Sequence, residues 1–118
     1  MDIRKEVING KEYMFVNSFR GNRSGFVHET VLFRDGVVIG RNKIQYYNRT
    51  WEHYTYQSVM VGCVRNLLEN CQKVFEMAWR DNHGIKRMTE AKRKEMNEDF
   101  LGDVPEVYAE LYELYSIL

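Results

Sequence analysis

The chain has 118 residues, a size that suits one domain built around one core. Hydrophobic residues make up 44%, charged residues 29%, and there is a single Pro, a balance that excludes a disordered or Pro-rich linker protein. Seventeen basic and seventeen acidic residues cancel, which excludes broad affinity for nucleic acid, since that rests on many phosphate contacts.

The first half reads as a β-meander. Asn9-Gly10 separates Lys5-Glu6-Val7-Ile8 from Lys11-Glu12-Tyr13-Met14-Phe15-Val16. Asn-Gly favours the left-handed conformations of a two-residue hairpin turn. A glycine-rich basic loop follows at Arg20-Gly21-Asn22-Arg23-Ser24-Gly25. A third strand runs from Phe26 to Arg34, and Asp35-Gly36 makes a second tight turn. A fourth strand opens at Val37 and reaches Tyr47, with a bulge expected near Gly40.

The period then changes. Residues 51 to about 80 contain no Pro, and Met60, Val64, Leu67, Cys71, Val74 and Ala78 recur in four-three alternation. Val61, Leu68, Phe75 and Trp79 form a second stripe beside them. This predicts one long helix of ~45 Å, more than an ordinary four-stranded sheet covers. One stripe would face the sheet and the other a second copy, giving a homo-oligomer through the long helix. Asn82-His83-Gly84 is a helix stop. Thr89 caps a shorter helix to about Leu101, and Asp103, with Pro105 and Glu106 behind it, opens another. The fold class is therefore α+β: a four-stranded antiparallel meander, one long helix, and two shorter C-terminal helices in a single domain spanning residues 1–118.

Charge is unevenly spread. Residues 1–50 carry +4, residues 51–94 carry +3 and residues 95–118 carry −7. The acidic end is expected to pack against basic surface of its own chain or of a sister subunit, or else to leave a basic pocket for a phosphorylated ligand. Cys63 and Cys71 would lie ~12 Å apart along one helix, too far for a disulfide. No apolar run is long enough to span a bilayer, and the first residues lack the apolar stretch of a signal peptide. A cytoplasmic, reduced protein without a metal or cofactor is the expectation.

Catalysis has little support. His28, His53 and His83 are scattered, and none belongs to a metal or nucleophile motif. Binding has more. Tyr46-Tyr47-Asn48-Arg49-Thr50-Trp51-Glu52 places aromatics and a guanidinium at a strand-to-helix junction, where free amides accept phosphate. Arg20 and Arg23 sit in a loop whose glycines let backbone approach a ligand. Phe75, Trp79, Asn82 and Arg93 combine ring faces, an amide and a cation, the groups that adenine and pyrophosphate need. Each has a plainer reading: a helix cap with aromatic plugs, a solvated hairpin, and a core-packed aromatic pair beside a solvated basic face.

Gly25-Phe26-Val27-His28-Glu29, Tyr46-Tyr47-Asn48-Arg49-Thr50-Trp51-Glu52 and Tyr54-Thr55-Tyr56-Gln57-Ser58-Val59-Met60 resemble small phage-encoded proteins, the first Thoeris anti-defence family of "sponges". The resemblance implies sequestration of cyclic ADP-ribose isomers, and in some members cyclic oligonucleotides, without cleavage, in the cytoplasm of an infected bacterium. It does not locate ligand contacts, so Arg20, Arg23, Arg49, Phe75, Trp79, Asn82 and Arg93 are ligand-binding expectations on chemical grounds. The acidic C-terminal segment has no counterpart in it. A rival expectation is a phage protein-binding inhibitor of a host defence system, such as an anti-CRISPR.

Overall fold

The computed structural model describes the backbone of residues 2–47 and 55–118, with side chains over that range except at 71–75, 78 and 100–105. Four strands, β1 (Asp2–Ile8), β2 (Lys11–Asn22), β3 (Gly25–Arg34) and β4 (Val37–Tyr46), form an antiparallel sheet in the order β1-β2-β3-β4. Both tight turns form where the dipeptides predict them. Asn9 and Gly10 have φ of 53° and 73°, and Asp35 and Gly36 have 47° and 79°. Two successive left-handed residues match the twist of the flanking strands, which is why Asn-Gly and Asp-Gly serve here.

Three helices follow: α1 (Gln57–Glu69), α2 (Cys71–His83) and α3 (Glu90–Ile117). The single helix expected over residues 51–80 is two, parted at Asn70, whose φ of −129° and ψ of 41° leave the helical region. Residues 51–54 of that expectation lie outside the described residues. Asparagine competes for its own backbone and tolerates such an interruption, whereas the apolar spacing runs through it unchanged. The consequence for assembly is direct. At thirteen residues α1 is ~20 Å long, about the width of the four strands, so α1 does not overhang the sheet as a thirty-residue helix would. Met60, Val64 and Leu67 are buried against Tyr13, Phe15 and Leu32 of the same chain, and Leu68 packs on that cluster. The uninterrupted helix on which a partner was expected is therefore two shorter ones.

The two short C-terminal helices are also one. Thr89 is its cap, its hydroxyl accepting from the Lys92 amide at 3.2 Å, and the helix continues through Gly102 and Pro105. Pro105 removes one amide donor from the ladder without ending it. Val107, Leu111 and Leu114 bury the distal half against the sheet and α1. At α2, Gly84 takes the left-handed conformation (φ 64°) that closes the helix after His83, as its sequence predicts.

A buried polar knot fixes α3 in place. Glu110, 3% exposed, accepts from the Tyr13 hydroxyl at 2.6 Å, from Arg34 Nε at 2.8 Å and Nη2 at 3.3 Å, and from Asn9 Nδ2 at 3.1 Å. Burial works to raise the Glu110 pKa, but the Arg34, Tyr13 and Asn9 hydrogen bonds outweigh it and lower the pKa to about 2. Burial and the same carboxylate push the Tyr13 phenol above its ordinary range. Part of the acidic end thus meets basic surface of its own chain. Among the described residues, no helix is long and apolar enough to cross a membrane.

Candidate functional site

A cleft forms where the sheet edge and the helix break meet. The β3–β4 register shifts at Leu32/Phe33, so that Phe33 faces Val38 while Leu32 faces Gly40. Such a bulge bends an edge strand. Gly40 lets α1 pack closely there: a Cβ would lie 3.0 Å from Leu67 Cδ1 and 3.3 Å from Cys63 Sγ, tighter than ordinary contact. On the helical side α1 ends with the Asn70 amide bonded to the Asn66 carbonyl at 2.8 Å, and α2 begins at Cys71, after the break.

The space between is a cavity of about 350 Å³, within the size range of small-molecule sites. Val38, Leu67 and Met77 supply apolar walls, and Asn66 and Asn70 supply amides. Arg41 and Asp81 stand at the rim, 3.8 Å apart. Both are well exposed, so their pairing is weak and either can turn to a ligand. Cys63 lines the wall, and burial pushes its thiol up to about 12. It is neutral at physiological pH and no nucleophile. The arrangement suits a flat ring with a hydrogen-bonding edge and an anionic appendage.

The residues singled out from sequence fall in two other places. Arg20 and Arg23 are exposed at the β2–β3 hairpin end. Asn22 joins that hairpin to β4 by hydrogen bonds with Gln45 at 2.6 and 3.3 Å. Gly25, at φ 143°, lies against the Tyr46 carbonyl, where any Cβ would collide. The Arg20–Gly25 loop and the end of β4 therefore share one end of the sheet. Arg49 lies outside the described residues.

Beneath this end is an aromatic cluster around His28, with Tyr46 at 4.9 Å, Tyr56 at 5.3 Å and Phe19 at 6.0 Å between ring centroids. Burial lowers the His28 pKa, and a backbone hydrogen bond at Thr55 opposes it. In the next row Asn17 and Thr30 face each other, fully buried. Their Oδ1 and Oγ1 atoms have no hydrogen-bond partner among the described residues.

The remaining candidates tie α2 to α3. Trp79 is 7% exposed, donates from Nε1 to Asp99 at 2.7 Å and stacks on His83 at 4.2 Å. Arg93 pairs with Glu76 at 3.4 Å, and Asn82 is exposed in the last turn of α2. Phe75 belongs to α2, but its side chain is not among those described. Arg20, Arg23, Trp79, Asn82 and Arg93 are not among the described residues that line the cleft. Sequence reasoning missed Arg41, Asn66, Asn70 and Asp81. The only hint was the Asn66–Asn70 spacing of one helical turn, placed where a helix could stop.

No protein-family model, curated protein or solved structure matches the chain. Among the described residues, no group of three His, Cys, Asp or Glu side chains lies together to hold a metal ion.

Proposed function

We propose that this protein binds a small phosphorylated nucleotide in the cleft beside β4 and sequesters it unchanged, acting as a phage anti-defence sponge for cyclic nucleotide immune signals. Cyclic ADP-ribose isomers are the leading ligands and cyclic oligonucleotides the second. The observation that carries the reading is the cleft: an apolar slot of about 350 Å³ with two amides within and a guanidinium at its mouth. Val38 and Met77 would flank a base, Asn66 or Asn70 would read its edge, Arg41 would meet a phosphate, and Asp81 would accept from ribose hydroxyls. The thiol in the wall is neutral, which suits retention of the ligand rather than attack upon it. The proposal is tested by calorimetric titration with a panel of cyclic ADP-ribose isomers and cyclic oligonucleotides. Ligand recovered from the denatured complex should be chemically unchanged.

The protein-inhibitor reading is favoured by a different observation, the apolar sheet face that no described helix covers. It takes first place if no member of the panel binds.

A further inference from the structure

α1 and α3 pack on one face of the sheet, the one carrying Tyr13, Phe15 and Leu32, while α2 lies along the β4 edge. Strand alternation sends their neighbours to the other face. In register across the strands, Ile3 faces Val16, which faces Val31, and Met14 faces Phe33. These side chains form a continuous apolar patch at the centre of the sheet. None belongs to the buried core cluster, and Ile3 and Val7 are 53% and 71% exposed. The far side is polar around this patch, at Lys5, Ser18, Glu29 and Lys43, and apolar at its centre, where Met14, Val16, Val31 and Phe33 are half-buried. An apolar centre with a polar rim marks a contact surface.

We infer that this bare face is the interface of a homodimer, in which two copies stack sheet on sheet. Three features select a second copy. The chain has zero formal net charge, so copies do not repel. The patch is rimmed by both signs, with Lys5 beside Met14, and Glu29 opposite Lys43. Such a rim suits a neutral mixed-charge surface like its own rather than a strongly charged partner. The extent also fits. Four strands spaced ~4.8 Å, presenting a side chain every ~6.8 Å over four or five rows, give a footprint of roughly 550 Å² for the whole face, rim included, or about 1,100 Å² over two copies, which clears the ~1,000 Å² of a specific interface. Two twisted sheets of the same hand stack in the aligned geometry of a sandwich. This surface takes the place of the long helix expected to carry self-association.

Sedimentation equilibrium of the full chain tests the inference, with Phe33→Lys as the disrupting variant. The unmodified protein should show twice the protomer mass at micromolar concentration. Phe33→Lys should be monomeric with an unchanged circular dichroism spectrum. Should the charged variant fail to fold, the paired change Val16→Thr and Val31→Thr keeps strand-forming residues and should raise the dissociation constant at least tenfold. A monomeric unmodified protein at hundreds of micromolar would overturn the inference. So would a dimer that survives in every folded variant.

Discussion

Replacing Glu110 by Gln keeps the shape of the buried knot and removes its charge. At neutral pH the carboxylate faces the Arg34 guanidinium at 2.8 Å and is 3% exposed, so the amide leaves a half-buried cation without its counter-charge. The magnitude follows from linkage. A carboxyl lowered from 4.5 to about 2 on folding contributes about 3 kcal/mol above its unfolded pKa. A depressed acid stabilises the fold above the unfolded value and loses that contribution as pH falls toward the folded value. The difference between unmodified and Glu110→Gln protein should therefore be about 3 kcal/mol near pH 7, about 2 near pH 3.5, and under about 1 near pH 2.5. His28 adds a trend of the same sign, because its pKa is lowered by burial and its stabilisation fades as pH drops below 6.5. That trend is common to both proteins and cancels in the difference. Urea denaturation followed by circular dichroism at several pH values measures it. A difference that is flat across this range would refute the charge-based account.

Two further outcomes test the fold locally. Gly25→Ala places a Cβ against the Tyr46 carbonyl at a φ unsuited to alanine, so it should cost ~3 kcal/mol or more and free the β2–β3 hairpin from β4, read as a lowered urea midpoint. In a Cys71→Ser background, the buried Cys63 thiol, pushed up to about 12, should resist a thiol-reactive dye in the folded protein and react fully in urea. Fast labelling under native conditions would contradict the packing of α1 on β4.

What could be read from the sequence was local chemistry. Asn9-Gly10, Asp35-Gly36, Gly84 and Thr89 each take the conformation or bond their side chains favour, so the meander, the end of α2 and the start of α3 were legible. The bulge near Gly40 was legible too. Helix lengths were not. The apolar spacing passes through Asn70 without a fault and conceals a break, while Pro105 and its acidic neighbours imitate a helix start inside α3. The cleft depends on that concealed break. Arg41, Asn66, Asn70 and Asp81 are ordinary surface residues in the sequence, and only the bulge, the break and the turn of α2 bring them together. Trp79, by contrast, is a candidate stacking ring in the sequence, and one of its faces and its Nε1 are taken by His83 and Asp99, which matches the plainer core-packed reading.

The central claim is that a cyclic nucleotide is held between β4 and the α1–α2 junction. Amide chemical-shift mapping of isotope-labelled protein during titration with a binding member of the panel tests it directly. The largest shifts should fall at Val38, Gly40, Arg41, Asn66, Asn70 and Asp81, and should be lost together with binding in an Arg41→Ala, Asn70→Ala variant that stays folded. Shifts confined instead to the Arg20–Gly25 loop and Tyr46, with the variant binding as tightly as the unmodified protein, would contradict it.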